Sequence, residues 1–296
     1  RTRAGRIAKW SGLVEGRGDD SPPELLLNPD ASNTGNYAKL EVRWKSRPDD
    51  LVKGAVDYHV VILTDMDEEL AALAAKAIAD GHNQYAPMAG YMPLREAIAA
   101  KIQRCYGNNF SPSENITITP GGSYAIYTAF TTILQPGDEV IVFEPAYDSY
   151  IPNIIVNGGI PVRIPLAFPS YKINWEKVKN AITSKTKAII INSPHNPTGS
   201  VLAREDILIL QDLLRDSSIF LISDEVYEHM VYDPLQHHSA SSYPGLAQRA
   251  FVVSSFGKSY HVTGWKVGTV AAPASMTTEF RKVHQFNVFT VNTPVQ

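Results

Sequence analysis

Ala188-Ile189-Ile190-Ile191, then Arg204–Leu214, then Phe220-Leu221-Ile222-Ser223 is the stretch that decides the fold. The outer pieces are short, apolar and rich in β-branched residues, as strands buried on both faces are. The middle piece reads as a helix. A strand, a helix and another strand in that order form a crossover unit, which joins parallel strands. Outward from it, similar runs recur at Ile116–Thr119, Val140–Phe143, Pro161–Ile164, Phe251–Val253 and Lys266–Ala271, with a second helical pattern at Trp175–Thr183. The expectation is an α/β fold with a mostly parallel sheet and helices on both faces. Upstream, Asp65 or Asp67 can cap a helix through Leu70–Ala79 that Gly81 stops. Pro93 sits in the first turn of another helix, closed by Gly107, and a further helix starts near Ala125.

Composition bounds the function. A chain of 296 residues holds one large α/β domain or two modest ones, and 44% hydrophobic with 19% charged residues is an ordinary globular balance. A net charge of -3 gives no reason to expect nucleic acid. The single cysteine, Cys105, excludes an intrachain disulfide and a multi-thiolate zinc site, so a cytoplasmic setting is the default. Asn115-Ile116-Thr117 fits a glycosylation sequon, which without a secretory context is read as chance. No apolar run approaches the roughly eighteen residues of a membrane span, and no membrane partner is expected. The chain opens Arg-Thr-Arg with neither an initiator methionine nor a signal peptide, which suggests a trimmed start. Residues 1–60 are dominated by turn and breaker signals, with a strand near Tyr58–Leu63 and no functional reading; the α/β pattern occupies 61–296.

In such sheets ligands sit beyond the carboxyl ends of the strands. Pro120-Gly121-Gly122-Ser123-Tyr124 follows one strand and fits either an anion cradle or a plain tight turn. Glu144-Pro145-Ala146-Tyr147-Asp148-Ser149-Tyr150 follows the next, where Tyr147 can stack on a planar ring or simply pack. Asn192-Ser193-Pro194-His195-Asn196-Pro197-Thr198-Gly199 is a constrained polar loop that positions Asn196, with His195 read as a solvated or packing residue. Asp224 ends an apolar strand, costly if buried without a cationic partner, and is a site candidate. Glu225, Glu228 and His229 read as a solvated face, and no HExxH spacing supports a metal.

Ser254-Ser255-Phe256-Gly257-Lys258-Ser259 follows the strand Phe251–Val253. A phosphate loop ending in Gly257-Lys258-Ser259 needs a glycine five positions before Gly257, where Val252 stands, so a nucleoside-triphosphatase is rejected. Instead six segments form a joint pattern. They are Asn83–Gly90 with Leu94-Arg95-Glu96; Pro136–Val140; Glu144–Tyr147; Asn196-Pro197-Thr198-Gly199; Ser223–Tyr227; and Ser254–Gly268. From Asn83 to Gln296 the chain resembles the class I/II pyridoxal-5′-phosphate aminotransferases of fold type I, nearest the methionine and kynurenine/glutamine branch.

The resemblance implies a role for each matched residue. Lys258 matches the lysine that forms the internal aldimine and moves the proton between substrate Cα and cofactor C4′. Asp224 matches the carboxylate paired with the pyridine nitrogen. Tyr227 and Asn196 match the pair that hydrogen-bonds the ring's phenolic oxygen, and Tyr147 the aromatic on the ring face. The phosphate falls to backbone at Gly122, Ser123 and Tyr124, to the Ser255 hydroxyl and to Lys266, where some relatives carry arginine. Tyr85 matches a tyrosine that reaches the phosphate of a neighbouring subunit, implying a homodimer. Amino acids (methionine, glutamine or aromatic) and 2-oxo acids are the implied partners. The alternatives are a cysteine-S-conjugate β-lyase on the same fold, or a non-catalytic cofactor-binding fragment. No counterpart of the family's N-terminal arm is found in residues 1–60, and none of the arginines matches the one that binds the substrate α-carboxylate. The expectation is therefore a fragment: the large domain, 61–296, without the C-terminal small domain, turning over amino acids poorly or not at all.

Overall fold

The computed structural model describes residues 67–296 and, before them, the backbone of three strands: Glu24–Leu27 (β1), Tyr37–Arg43 (β2) and His59–Leu63 (β3). These pair antiparallel in the order β1-β2-β3. The strand expected near Tyr58–Leu63 is β3; the remaining readings in 1–60, and Asp65 as a cap, lie outside the described residues. The chain divides by its contacts into two units, Arg1–Asp65 and Met66–Gln296.

In the second unit the elements are α1 (Glu68–Ala79), α2 (Met92–Tyr106), β4 (Ile116–Thr119), α3 (Gly122–Ile133), β5 (Glu139–Glu144), α4 (Tyr150–Val156), β6 (Ile160–Pro165), α5 (Trp175–Ala181) and β7 (Thr186–Asn192). They continue as α6 (Arg204–Leu214), β8 (Phe220–Asp224), α7 (Pro244–Ala247), β9 (Ala250–Ser255), α8 (Phe256–Ser259), β10 (Gly268–Ala271) and α9 (Ala274–Asn287). The sheet order is β4-β10-β9-β8-β7-β5-β6. The pairs β5–β6, β5–β7, β7–β8 and β8–β9 are parallel. Strand β10 runs against both its neighbours, which leaves the sheet mostly parallel as expected.

Alternation along each strand builds a core on each face. Ile141, Phe143, Ile189, Ile191 and Leu221 point to one side, where Ile98 and Ile102 of α2 and Ile207 and Leu210 of α6 cover them. Val140, Val142, Ala188, Ile190, Ile222 and Phe251 point to the other, under Phe130 of α3, Ile154 of α4 and Phe280 of α9. Asp67 caps α1, its Oδ1 accepting from the Glu69 N–H at 2.8 Å.

Two local departures bear on function. Helix α3 begins at Gly122, not near Ala125, because Gly121 at φ +87° turns the chain sharply at the end of β4. The apolar run from Lys266 becomes strand only at Gly268, since Lys266 itself adopts a left-handed conformation at φ +54°. Among the described residues no helix is long and apolar enough to cross a membrane.

Candidate active site

Strands β4 to β9 all finish on one edge of the sheet, and β10, running the other way, begins there. Segments remote in sequence therefore meet around a cavity of about 190 Å³. Gly121 to Ser123, Tyr147, Asn196, Asp224, Tyr227, Ser255, Lys258 and Lys266 all line it.

At one end lies an anion cradle. The first N–H groups of α3, on Gly122, Ser123 and Tyr124, have no acceptor within the helix, and no side chain caps them. A Cβ built on Gly121 would stand 3.4 Å from Lys266 Nζ, so the ammonium closes over this turn. Ser255 Oγ accepts from the Gly257 N–H at 3.2 Å, holding the start of α8 against the cavity. The left-handed backbone at Lys266 precedes β10, and Gly268 packs so tightly on Gly121 that an added Cβ would lie 2.8 Å from its carbonyl carbon. Tyr124 does not line the cavity. Its ring packs edge-on against His284 with centroids 5.7 Å apart, and burial pushes the phenol pKa up.

Asp224 forms another part of the wall. It is buried and has no ion-pair partner among the described residues. Tyr150 donates its hydroxyl hydrogen to Oδ2, and the Val226 N–H donates to Oδ1 at 3.2 Å. Burial raises the carboxyl pKa to about 6, against the opposing pull of these two donors. Asn192, in register with Asp224 on β7, donates its amide to the Asp224 carbonyl at 2.9 Å and accepts the Asn196 N–H at 2.7 Å. Neither Tyr150 nor Asn192 was a candidate, although both stand inside segments that were.

Also in the lining, Lys258 Nζ lies 5.6 Å from the centre of the Tyr227 ring, and Asn196 Nδ2 donates to the Tyr227 hydroxyl at 3.5 Å. Tyr147 faces Ser123, with 3.2 Å between their hydroxyl oxygens. Tyr85 lies elsewhere. It is 79% exposed, with its ring edge-on to Phe289 at 5.4 Å, and it does not touch this cavity.

The solvated face expected at Glu225 and Glu228 is corrected. Both are buried, at 1% and 5% exposure, because partners from distant elements meet them. Glu225 accepts from Ser223 Oγ and the Ala240 N–H and lies 3.0 Å from His237 Nε2. Glu228 accepts from Lys101, Tyr106 and Ser254. His229 does reach solvent, whereas His195 is a packing residue, buried with Nδ1 at 2.8 Å from Thr198 Oγ1.

This architecture matches known proteins. The sequence profile described as aminotransferase class I and II matches residues 60–296. The chain belongs to this family. Among curated aminotransferases, it is 46% identical to methionine aminotransferase of Escherichia coli (strain K12) over 222 residues, covering 75% of this chain and 58% of that protein. It is 37% identical to kynurenine–oxoglutarate transaminase 1 of Homo sapiens, over 70% of this chain and 52% of the relative. The crystal structure of an Escherichia coli protein identified as a methionine aminotransferase superposes with a TM-score of 0.77 at 45% identity, covering 78% of this chain and 61% of that one. The N-succinyldiaminopimelate aminotransferase of Mycobacterium tuberculosis gives 0.76 at 35% identity, over 78% and 61%. The chain thus has fold type I and spans less than two thirds of the length of these relatives. Aminotransferases of this family are pyridoxal-phosphate enzymes. The cavity fits that cofactor: a cationic, N–H-rich cradle suits a phosphate, and a buried acid lacking a cation suits a pyridinium.

Proposed function

We propose that this chain is the cofactor-binding part of an enzyme that transfers the amino group of an amino acid to a 2-oxo acid, with methionine, glutamine or an aromatic amino acid as donor. Residues 61–296 are the large domain of that enzyme. When bound, pyridoxal phosphate supplies an electron sink for the carbanion formed at the substrate Cα.

The chain's own residues do the rest. Lys258 Nζ would hold the cofactor's reactive carbon until the substrate amine takes its place; the freed lysine amine would then accept the proton from substrate Cα and deliver it to cofactor C4′. Asp224 keeps the pyridine nitrogen protonated, and Tyr150 holds Asp224 in place from behind. Tyr227 and Asn196, joined to each other, bind the phenolic oxygen and tune the lysine beside them. Tyr147 covers a ring face. The N–H groups of Gly122, Ser123 and Tyr124, with Ser255 and Lys266, grip the phosphate. Tyr85, exposed in one chain, serves the phosphate of a second copy, so the working unit is a homodimer.

The observation that carries this reading is Asp224: a buried carboxyl without a cation among the described residues, on the wall of the cavity that also holds Lys258 and the anion cradle. The test uses the reading frame that contains this chain. Loaded with pyridoxal phosphate and given methionine, it should release the 2-oxo acid of methionine and leave pyridoxamine phosphate. Release of pyruvate from a cysteine S-conjugate without amino-group transfer would replace this reading with a β-lyase.

A further inference from the structure

Glu228 follows Tyr227 directly in the turn after β8, yet its side chain points away from solvent and binds three groups from two other elements. Oε2 accepts from the Lys101 ammonium and the Tyr106 hydroxyl, both on α2. Oε1 accepts from the Ser254 hydroxyl on β9. His229 Nε2 stands 3.9 Å from Oε2 at the surface side. The backbone is fixed as well, the Glu228 N–H donating to the Glu225 carbonyl at 2.9 Å.

The two arms of this carboxylate have different consequences. The α2 arm anchors the turn to the outer helix. The Ser254 arm ties it to the strand whose next residue, Ser255, caps the helix that carries Lys258. Tyr227 and Lys258, whose Nζ lies 5.6 Å from the centre of the Tyr227 ring, are thus both tied back to one carboxylate and one hydroxyl.

We propose that Glu228 is a positioning residue, acting through Ser254 to set the distance between the Tyr227 hydroxyl and the Lys258 amine. This rests on Lys258 being the residue that holds the cofactor. Glu228 itself does not line the cavity, so its influence runs through Tyr227 and Ser254. The spacing matters because the phenol and the amine share one bound group, and their separation decides how readily the lysine nitrogen carries a proton.

The test compares Ser254→Ala with Tyr106→Phe. Each deletes one hydroxyl donor to the same buried carboxylate, so the two share a structural cost. The readout is the pH midpoint of the visible absorbance of the pyridoxal-phosphate-loaded protein, with thermal melting alongside. Ser254→Ala should move the midpoint by about half a pH unit or more, while Tyr106→Phe lowers melting and leaves it in place. Equal movement in both variants, or none in either, overturns the proposal while the parent's absorbance still supports the lysine assignment. If the parent itself shows no lysine-bound absorbance, both readings fall together.

Discussion

Tyr150 donates its hydroxyl hydrogen to Asp224 from the first turn of α4, outside the lining of the cavity that Asp224 borders. The two are 74 residues apart in sequence, and both are almost wholly buried. The phenol does what a cation would not: it orients the acid without neutralising it, leaving the charge available to the cavity. Burial pushes the Tyr150 phenol pKa well up, so it remains a donor throughout the physiological range. Tyr150→Phe should therefore weaken pyridoxal-phosphate binding by about tenfold, roughly 1.4 kcal/mol and the worth of one charge-assisted hydrogen bond. Equilibrium titration of the cofactor-free protein checks this, and unchanged affinity would show that Asp224 needs no such support.

The unpaired acid carries a stability cost in the cofactor-free protein. Its pKa rises from 3.8 to about 6 on burial, so the folded state binds more protons than the unfolded one between these values. Stability should fall as pH rises through that window, by something on the order of 3 kcal/mol, and stay low above it. Asp224→Asn should melt higher than the parent at pH 8 and converge with it near pH 4, while binding the cofactor worse. Melting curves at the two pH values decide; a lower melting temperature for Asp224→Asn at pH 8 would contradict the account.

Glu228 has the opposite sign. Burial pushes its pKa up, but the Lys101 charge and the hydrogen bonds from Lys101, Ser254 and Tyr106 outweigh that and hold it below the ordinary value. Its contribution is present above the unfolded pKa and is lost as pH falls through the depressed folded one. Lys101→Met leaves this carboxylate buried with its cation removed and should destabilise the protein by about 3 kcal/mol or more at pH 7. The deficit should shrink below pH 4.5, the ordinary value for this side chain. A variant melting as the parent does at neutral pH would show the pair to be dispensable.

The phosphate end separates charge from shape. Lys266→Ala should weaken pyridoxal phosphate about tenfold or more while leaving unphosphorylated pyridoxal unaffected. Gly268→Ala drives a methyl into the backbone of Gly121 and Ser254, which cannot move aside as a flexible side chain would. It should cost about 1–3 kcal/mol and weaken both ligands. Parallel titrations with the two ligands distinguish these outcomes.

The strands of the large sheet are legible as short apolar runs; central ones such as Ala188–Ile191 are buried on both faces and need no alternation to be seen, while the edge strand β6 is mostly exposed or half-buried. Helix α9 was not. Its buried residues Met276, Thr277, Phe280 and His284 keep helical spacing, but polar neighbours surround them. The candidates that follow β4, β5, β7, β8 and β9 converge on one cavity since these strands all end at the same edge of the sheet, whereas Tyr85 follows no strand of that sheet and stays outside it. Tyr150 is not legible as a site residue because a phenol in the first turn of a helix reads as packing until Asp224, 74 residues on, is beside it. Glu225 and Glu228 read as solvated because the groups that meet them are remote in sequence. Locally, Asp224-Glu225-Val226-Tyr227-Glu228-His229 has the charge density of a surface turn, while the partner that neutralises Glu228, Lys101, lies 127 residues away.

The most direct test is to reduce the pyridoxal-phosphate-loaded protein with borohydride, digest it and locate the modified residue by mass spectrometry. The account predicts a pyridoxyl group on Lys258, and its absence from the Lys258→Ala protein together with the visible colour. A group found on Lys266 or any other lysine, or colour that survives the substitution, would contradict it.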